Sequence, residues 1–482
     1  MTIVDILLYV MLLFGYVILL CGLILMVLSV FNFIKTRKYK SSSTHTPKIS
    51  LIAPAHNEEK DIERTIKRFI DIEYPYEKKE LVIINDGSKD ETESIVARYA
   101  GKIIANDVIT ISQDKYDNIV LVNRVNGGKG KSFALNEGIK YASGELLFFM
   151  DADVQLDTTA FRKVASHFFD ETVDALTGYI KVSSNKSFLN KFIDFENVIG
   201  QKIIRRGFNF LGIHYVIPGG ISVFRREIID IVGGYQHDTL AEDTDIAWRI
   251  ITETDAKVIF DPSIEVIADE PKMLTDLWNQ RVRWARGNIE VTWKNRHKVG
   301  RNKYGRGATW VYPFWLGSLL LPFAFILGAT GFILTILLEK TPPNILYILT
   351  FVLALSFYLL WVIGTFLNNG KSWLAGLLTP GIPMLITITA SLFSKNGVTD
   401  FLNIFLEQQW VIIISFILGI WILISIPGTY MCLFLANKGK TKFASTIQLL
   451  VFGYWMFLVV SIMQGYYNEL TKGEKIWIRT IR

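Results

Sequence analysis

The feature that most limits the fold of this chain is the position of its uncharged segments, which lie towards both ends and leave a charged block between them. Residues 6–34 contain no charged side chain, and about 20 apolar residues are enough for a helix that spans a bilayer. Basic residues follow directly at Lys35, Arg37, Lys38 and Lys40, which indicates that the next segment stays in the cytoplasm. We therefore predict a retained membrane anchor rather than a cleaved signal peptide, since the basic start and small-residue cleavage site of a signal peptide are missing.

The composition agrees with a membrane protein that carries one soluble domain. Half of the 482 residues are apolar and 13% are aromatic, which is more than soluble proteins of this length usually carry. The net charge of +6 comes from scattered basic residues, so we expect no nucleic-acid partner. Cys21 and Cys432 lie far apart in apolar stretches without the neighbours of a zinc site, so we expect neither a disulfide framework nor structural zinc.

Apolar stretches return after residue 306 and predict a membrane region. They lie at residues 310–338, 345–367, 373–393, 410–436 and 443–467. We predict four spanning helices, and an interfacial or re-entrant segment at 373–393, because Pro380, Gly381 and Pro383 would interrupt a helix within the membrane. The basic chain end favours this topology and the lysines between 438 and 442 oppose it, so whether 373–393 crosses the membrane stays open.

The charged block has the pattern of an α/β domain. Strand patterns lie at residues 49–53, 81–84, 119–122 and 146–150, and helical patterns alternate with them at 60–72, 91–99 and 131–141. This alternation predicts a parallel sheet with crossover helices. We expect an anchor over 1–40, a cytoplasmic domain over 41–300 that ends in amphipathic interface helices, and transmembrane helices over 301–482. Ligands of such sheets bind beyond the carboxyl ends of the strands, so polar residues there are the first candidates for a site.

Acidic residues follow two of the predicted strands. Asp86 follows the second strand in an Asp-Gly pair, and alone it is most simply a turn residue. Asp151 and Asp153 follow the strand at 146–150, where a buried charge is costly unless it is paired or bound to metal. Oxygen ligands at this spacing can hold Mg²⁺ or Mn²⁺ against a diphosphate, although a lone triplet of this kind is as often a solvated turn.

Three further motifs each have a structural explanation, and the first of them also suits phosphate. Lys129 and Lys131 lie in a glycine-rich segment that opens a helix, which suits phosphate but also a surface turn, and its spacing is not that of a Walker A loop. Glu242 and Asp243 begin a helix, where acidic residues also complement the helix dipole. The amphipathic stretch 278–284 by itself predicts an interfacial helix with tryptophan anchors.

Residues 48–296 resemble the family 2 glycosyltransferases with a GT-A fold, because all of these motifs occur in that family's order. The anchor and the C-terminal helices are similar to its processive branch, the cellulose, chitin, hyaluronan and poly-N-acetylglucosamine synthases. The poly-β-1,6-N-acetylglucosamine synthases similarly read Glu-Asp-x-Asp-x-x-Trp and then Gln-Arg-x-Arg-Trp-x-x-Gly, here at residues 242–248 and 280–287. The resemblance implies an α/β GT-A (Rossmann-like) cytoplasmic domain and a multi-pass α-helical transmembrane region.

The resemblance also implies a role for each motif residue. Asp243 would be the catalytic base, although alanine at position 241 replaces the family's threonine. Asp153 would bind the divalent metal, Mg²⁺ or Mn²⁺. The nucleotide would be bound by Pro54, Glu58, Asp86, Lys129 and Asp151. The acceptor and the diphosphate would be bound by Glu242, Gln280, Arg283 and Trp284. The choice between Lys129 and Lys131 for the phosphate stays open.

The activity that the resemblance implies is inverting transfer of a sugar from a UDP-sugar to a growing β-linked polysaccharide at the plasma membrane. The sugar would be N-acetylglucosamine, the other partners would be a glycan acceptor and membrane lipid, and a small membrane partner subunit could exist. Export through the chain's own helices would use a conduit with Trp310, Tyr312, Trp315 and Trp361. Each single tryptophan is more simply an interface anchor.

Three alternative functions stay open at the level of sequence. A glycolipid synthase with the same motifs would transfer one sugar to a lipid. A hyaluronan-type or cellulose-type synthase would use another sugar. A nucleotide-sensing transporter would keep its function in an Asp243→Asn variant, and it would leave the strand-end acidic residues unexplained.

Overall fold

The computed structural model of the chain describes residues 21–35, 45–124, 127–183, 187–214, 216–298, 345–392 and 409–471, with Ile6 and scattered positions from 300 to 337. The α/β block is described almost completely. Three sets of predictions lie outside the described residues: the basic residues between 36 and 44, the conduit residues Trp310, Tyr312 and Trp315, and the basic chain end after residue 471.

A mixed sheet of 10 strands forms the centre of the described α/β block. In chain order the strands are β1 (Ile49–Ala55), β2 (Lys79–Asn85), β3 (Ala100–Ala105), β4 (Val108–Ile111), β5 (Tyr116–Asn123), β6 (Leu146–Phe149), β7 (Gln155–Leu156), β8 (Val173–Val182), β9 (Ser222–Arg225) and β10 (Lys257–Ala268). Across the sheet their order is β4-β3-β5-β2-β1-β6-β9-β8-β10-β7. The four strands predicted from the sequence correspond to β1, β2, β5 and β6 and are confirmed.

The predicted parallel sheet is correct for the central strands, whereas the rest of the sheet is mixed, since β8 and β10 are parallel and the remaining pairs are antiparallel. β3, β5, β2, β1 and β6 are parallel neighbours. β9 runs antiparallel to both β6 and β8, β7 runs antiparallel to β10, and β4 forms an antiparallel edge with β3. The sequence predicts the parallel strands because strands and helices alternate there, whereas β9 follows a helical insertion over residues 188–210 and runs antiparallel to both of its neighbours.

Helices cover both faces of the sheet. In chain order they are α1 (Cys21–Lys35), α2 (Ile62–Ile70), α3 (Thr92–Ala97), α4 (Lys131–Tyr141), α5 (Ala160–Phe168), α6 (Phe188–Asn197), α7 (Arg206–Phe210), α8 (Arg226–Val232), α9 (Glu242–Glu253) and α10 (Leu274–Asn295). α2 and α5 bury Ile66 and Phe161 against one face, and α4 and α9 bury Leu135 and Ile246 against the other. Because the central strands are buried on both faces, they are continuous apolar runs in the sequence.

The chain continues after α10 into apolar helices. They are α11 (Ile345–Leu367), α12 (Trp373–Leu378), α13 (Ile382–Leu392), α14 (Gln409–Asn437), α15 (Thr441–Ile447, continued by the π-helix Gln448–Phe452) and α16 (Tyr454–Leu470). Within the described residues, Gly419–Asn437 is long and apolar enough to cross a membrane, and the pair Thr441–Phe452 and Tyr454–Leu470, bent by 102°, could make one more span. Cys21–Lys35 and Leu355–Leu367 are apolar but shorter. The multi-pass region therefore stays a prediction.

Two of the predicted membrane segments are interrupted, and the two interruptions contact each other. The stretch 373–393 is divided near Gly381, as predicted, whereas 443–467 is bent at Gly453 and is not one continuous helix. Gly381 and Gly453 have φ angles of 84° and 81°, and the N–H of the residue after Gly453 donates to the Thr379 carbonyl over 2.9 Å. Each break thus helps to satisfy backbone groups of the other, which is how irregular backbone is tolerated within a helical region.

The predicted anchor contacts the α/β block directly. Leu25 on α1 joins a buried cluster with Phe208, Ala241, Trp248 and Val291. Trp248, the tryptophan of the Glu-Asp-x-Asp-x-x-Trp motif, is only 2% exposed. This motif residue therefore contributes packing, and the cluster joins α1, α7, α9 and α10 behind the acidic residues that begin α9.

Candidate active site

Asp86 joins two segments at the carboxyl edge of the sheet. Its carboxylate accepts hydrogen bonds from the guanidinium of Arg124, which follows β5, and from the N–H of Gly128 over 3.0 Å. Asp86 is buried, and its backbone lies so close to the glycine-rich segment that a Cβ on Gly127 would be 2.6 Å from the Asp86 carbonyl carbon. A side chain at position 127 would therefore push the glycine-rich segment away from the strand end.

The segment after β1 is fixed against the segment after β2. The parallel register pairs Ala55 with Asn85, so the two strands end at the same level. The N–H of Glu58 donates to the Thr92 hydroxyl over 2.7 Å, which ties the loop after β1 to the start of α3. Pro54 and Glu58 therefore lie at the same edge of the sheet as the end of β2.

Lys131 lies at the centre of an acidic cluster. Its Nζ is 2.6 Å from Asp151 Oδ1 and 3.4 Å from Glu242 Oε1. Burial lowers the pKa of Lys131, but the charges of Asp151, Glu242 and Asp243 outweigh burial and raise the pKa above its ordinary value. Burial raises the pKa of Glu242, Lys131 opposes that shift, and the net pKa of Glu242 is above its ordinary value. Acidic residues that are far apart in the sequence thus share one lysine.

Asp243 is held by backbone groups at the start of α9. Its Oδ2 accepts from the N–H of Gly219 over 3.1 Å, and its Oδ1 accepts from the next residue's N–H over 2.7 Å. A Cβ on Gly219 would lie 2.9 Å from Lys131 Nζ, and a Cβ on Gly220 would lie 3.8 Å from Asp151 Oδ2. The loop before β9 therefore lies between the predicted base and a predicted nucleotide ligand.

Asp153 lies two residues beyond Asp151 and is partly buried. In the part of the chain that the structure describes, no group of three or more His, Cys, Asp or Glu side chains is arranged to hold a metal by itself. Proteins usually bind Mg²⁺ through one or two carboxylates together with substrate phosphates, so such a group is not required. The oxygen donors at Asp151 and Asp153 therefore fit a metal that is shared with a diphosphate.

The two lysines of the glycine-rich segment occupy different environments. Lys129 is exposed, whereas Lys131 is the first residue of α4 and reaches the carboxylates. The structure therefore brings Lys131, the lysine that the sequence left as an alternative, into the cluster with Asp151. Position along the chain could have distinguished the two lysines, because Lys131 is at the start of a predicted helix, and helix starts lie near the strand ends in a sheet of this kind.

The helix α10, which carries the Gln-x-x-Arg-Trp motif, packs against the start of α9. A Cβ on Gly287 would lie 2.7 Å from the Cβ of Ala241, so the two helices approach through small residues. At the same contact the N–H of Leu240 donates to Glu290 Oε2 over 2.7 Å. Alanine at position 241, where the resembled family has threonine, is thus part of a close helix contact that a small side chain suits.

The predicted acceptor-binding residues lie on one stretch of α10. Gln280 is 4% exposed, and its Oε1 has no hydrogen-bond partner among the described residues. The buried Nε of Arg283 also has none in the described part of the chain, while Trp284 is 41% exposed and presents its indole to solvent. Burial is the largest cause of the raised pKa of Glu242, and the positive charge of Arg283 is among the causes that lower this pKa. Arg283 therefore lies near the acidic cluster. Buried polar atoms without partners usually indicate a place for a ligand or for water.

Three residues of the described site were not predicted from the sequence. Arg124 pairs with Asp86, Gly219 donates its N–H to Asp243, and the guanidinium carbon of Arg281 lies 4.3 Å from the ring centroid of Trp284. Arg124 could have been found, because it directly follows a predicted strand at the edge where ligands bind. Gly219 has its partner only through the tertiary structure, whereas Arg281 and Trp284 are three residues apart on one helix, a spacing that puts them on the same face.

Two family models match the chain. Residues 50–232 match Glycosyl transferase family 2, and residues 146–456 match Glycosyl transferase family group 2. The second match alone covers more than half of the chain, and the two together include every residue of the candidate site.

The chain is also similar to named proteins. It is 30% identical over 335 residues to the probable glycosyltransferase YdaM of Bacillus subtilis, which is 68% of this chain and 74% of that protein. It is 30% identical over 255 residues to the poly-beta-1,6-N-acetyl-D-glucosamine synthase of Staphylococcus epidermidis, and 31% identical over 246 residues to that of Staphylococcus aureus. These two matches cover 52% and 50% of this chain and 57% and 55% of the synthases, so the chain spans little more than half of their length.

A solved structure supports the fold. The mannosyltransferase PcManGT of Pyrobaculum calidifontis, in complex with GDP-Man and Mn²⁺, superposes with a TM-score of 0.50 over 75% of this chain and 97% of that chain. The sequences are 19% identical, so the likeness concerns the fold alone. Together with the mixed sheet and its strand-end site, it confirms an α/β fold of the GT-A type.

Proposed function

The chain belongs to glycosyl transferase family 2, and from this premise we propose that it transfers a sugar from a UDP-sugar to a growing β-linked polysaccharide, with inversion at the anomeric carbon. We propose N-acetylglucosamine as the sugar, because two of the named relatives are poly-β-1,6-N-acetylglucosamine synthases. We place the reaction at the cytoplasmic face of the plasma membrane. The uncharged segment 6–34 and the helix Gly419–Asn437 support this location.

The observation that carries the proposal is the convergence of three acidic residues from separate motifs on one lysine. Asp151 follows β6, whereas Glu242 and Asp243 begin α9, and all three act on Lys131. Burying this much charge in one place is costly for the fold unless the groups are paired. Such clusters of perturbed ionisable groups at a strand edge are typical of active sites.

We assign donor binding to the donor edge, which we define as Pro54, Glu58, Asp86, Lys131 and Asp151. Asp86 would bind the base or ribose, since its carboxylate is already oriented by two donors at the strand ends. Lys131 would bind the diphosphate, because a lysine can exchange a carboxylate partner for a phosphate oxygen. Lys129, which is exposed beside it, is our second candidate for a phosphate contact.

We assign proton transfer to Asp243. Its carboxylate would remove the proton of the acceptor hydroxyl while that oxygen attacks the anomeric carbon opposite the leaving nucleotide. A single displacement of this kind turns an α-linked donor into a β-linked product. Two backbone N–H groups orient the Asp243 carboxylate, so the base needs little rearrangement before the reaction.

The positive charges of Lys131 and Arg283 would stabilise the leaving diphosphate, so no general acid is required. We propose that Asp153, with Asp151 beside it, holds Mg²⁺ or Mn²⁺ when the nucleotide is bound. The chemistry that this metal supplies is neutralisation of the charge that develops on the diphosphate. The Mn²⁺ in the complex of PcManGT supports a divalent cation for this fold.

We assign acceptor binding to the acceptor face, which we define as Gln280, Arg283 and Trp284 on α10, with Glu242 beside it. The exposed indole of Trp284 offers a flat apolar surface on which a sugar ring can stack. Gln280 and Arg283 each contribute a buried polar atom that has no hydrogen-bond partner in the described residues and that a hydroxyl or phosphate could satisfy.

We further propose that the polymer leaves through the helices that follow α10. α16 packs directly on α10, where a Cβ on Gly465 would lie 2.7 Å from the Cβ of Ala285, so the acceptor face adjoins the helical region. Trp361, the described member of the predicted conduit, donates its indole N–H to the Trp373 carbonyl over 2.8 Å, a contact that equally suits an anchor. Reconstituted vesicles should accumulate polymer inside when donor is supplied outside; product on the donor side alone would exclude export.

The function is tested by incubating the purified protein with a panel of UDP-sugars and Mg²⁺ or Mn²⁺, followed by product sizing and digestion with linkage-specific hydrolases. We expect a polymer only with UDP-N-acetylglucosamine, and its loss on chelation with EDTA. A chloroform-soluble product with one added sugar would identify a glycolipid synthase. Polymer from another UDP-sugar would assign a hyaluronan-type or cellulose-type activity.

A further inference from the structure

We infer that Arg281 is a positioning residue that sets the indole of Trp284 for the acceptor and links it to α6 and α16. The inference rests on the proposed function, because Trp284 acts as an acceptor surface only if the chain transfers sugar. The sequence places Arg281 between Gln280 and Arg283, but none of the roles assigned so far uses it.

The first contact of Arg281 is with the indole itself. The guanidinium carbon lies 4.3 Å from the ring centroid of Trp284, within the range of a cation–π contact. Residues three apart lie on the same face of a helix, so the stack is built into α10. The Nε of Arg281 is buried and has no hydrogen-bond partner in the described residues. The stack thus covers one face of the indole and leaves the other for a ligand.

The second contact of Arg281 is a buried ion pair. Its Nη2 donates to Glu196 Oε2 on α6 over 2.9 Å, and the hydroxyl of Tyr454 on α16 donates to the same oxygen. Burial lowers the pKa of Arg281, but Glu196, Tyr454 and Glu270 together outweigh burial and raise the pKa above its ordinary value, so the guanidinium stays charged. Three elements that are distant in sequence are therefore joined at one carboxylate, and the guanidinium that supports Trp284 cannot rotate freely.

These contacts explain how a half-exposed indole can have a fixed orientation. Trp284 is 41% exposed, so solvent and the helix surface alone would allow its ring to adopt several rotamers. Stacking on a guanidinium that is 8% exposed and held at its far end removes that freedom. A fixed aromatic platform lowers the entropy cost of orienting an acceptor hydroxyl towards Asp243.

The same helix offers a matched control. Arg286 is 6% exposed and its Nε lies 2.8 Å from Glu469 Oε2 on α16, so it also pairs α10 with that helix through a buried arginine. Residues two apart on a helix do not face each other, so Arg286 is not placed to support Trp284. If Arg281 only supported the packing of α10 on α16, substitution of either arginine should have the same effect. If Arg281 positions Trp284, substitution of Arg281 alone should alter acceptor binding.

The experiment compares Arg281→Lys with Arg286→Lys in the full-length protein, with UDP-N-acetylglucosamine as donor and a short β-linked N-acetylglucosamine oligosaccharide as acceptor. Lysine keeps the charge but loses the planar stack. We expect Arg281→Lys to raise the KM for the oligosaccharide about tenfold, given the strength of a buried cation–π contact. We expect the KM for the donor and the rate of donor hydrolysis by water to stay unchanged. Arg286→Lys should leave all of these values near those of the unmodified protein.

A milder variant, Tyr454→Phe, keeps the ion pair and removes one hydrogen bond to Glu196, so it should raise the acceptor KM by a smaller factor than Arg281→Lys. Equal acceptor KM values for Arg281→Lys, Arg286→Lys and the unmodified protein would overturn the inference and leave the proposed function intact. A parallel rise in donor and acceptor KM in Arg281→Lys would also overturn it, because it would indicate a general structural role. Absence of transfer and of donor hydrolysis in the unmodified protein would instead overturn the proposed function.

Discussion

The donor edge and the acceptor face are built from different kinds of contact. At the donor edge, Asp86 and Asp151 follow neighbouring parts of the sheet and are paired with Arg124 and Lys131 inside the same domain. On α10, Gln280 has a buried oxygen without a partner among the described residues, and the position of the helix depends on its packing against α9 and α16. The first region is organised by sheet register before any substrate binds, and the second depends on the fit of one helix between two others.

This difference has a consequence for mutation. A change at the donor edge should alter binding or chemistry and leave the helix packing intact. A change at the contact between α10 and the start of α9 should alter stability and acceptor use together, because this contact sets the distance of α10 from Glu242 and Asp243.

The largest effect is expected for Asp243→Asn. Removing the base should lower the transfer rate by about a thousandfold, the range of general base catalysis, while the affinity for UDP stays unchanged. Steady-state transfer and calorimetric titration with UDP measure the two values. Asp238→Asn, in the exposed loop five residues earlier, is the control and should behave like the unmodified protein. Unchanged transfer in Asp243→Asn would exclude Asp243 as the base.

The next effect is expected for Lys131→Met. Loss of a charge-assisted contact to the diphosphate should weaken UDP binding about thirtyfold. Burial already raises the pKa of Glu242 and Lys131 opposes that shift, so without the lysine this pKa rises further and Glu242 keeps its proton to a higher pH. The loss of transfer should therefore grow as the pH falls, as a pH series of transfer rates can measure.

The exposed neighbour Lys129 provides the control for that experiment. We expect Lys129→Met to change UDP affinity less than Lys131→Met does, since Lys129 lies outside the acidic cluster. A larger loss in Lys129→Met, or a loss in Lys131→Met that grows as the pH rises, would contradict the assignment of Lys131 to the diphosphate.

A smaller effect, of a different kind, is expected for Gly287→Ala. The new Cβ would lie 2.7 Å from the Cβ of Ala241, so α10 must shift away from the start of α9. Overpacking of this kind lowers the free energy of unfolding by about 1–3 kcal/mol. Thermal unfolding in detergent should show the loss, and the acceptor KM should rise while UDP affinity changes little. Gly200→Ala, where no atom lies within 4 Å of the new Cβ, should show neither change.

The smallest effect is expected for Trp284→Phe. Phenylalanine keeps an aromatic face of smaller area, so the acceptor KM should rise only about threefold, within the energy of one aromatic contact. Trp293→Phe on the same helix is the control, because Trp293 is 68% exposed and lies outside the acceptor face. Equal effects of the two substitutions would argue that Trp284 is an interface anchor rather than an acceptor platform.

The two regions also differ in how well the sequence predicted them. The strands that position Asp86, Asp151 and Asp153 were recognised from apolar runs and turn residues, because a strand buried on both faces has a local signature. The strands β3, β4, β7, β8, β9 and β10 were not predicted. β7 has two residues, which is too short for a periodic pattern, whereas β8 and β10 have 10 and 12 residues and were missed despite their length. Trp248 was part of a recognised motif, yet it is a core residue, a distinction that spacing in the sequence does not contain.

The sequence by itself determined the α/β order of the central block, the strand-end carboxylates and the family, because these depend on residue types at short spacing. The tertiary structure decided that Lys131 rather than Lys129 reaches Asp151, that Gly219 and Arg124 orient the carboxylates, and that Arg281 pairs with Glu196. The physical reason is that ion pairs and hydrogen bonds form over a few ångströms between elements whose distance is set by sheet order and helix docking. Sheet order and helix docking depend on packing summed over the whole chain, and a local sequence pattern does not contain that information.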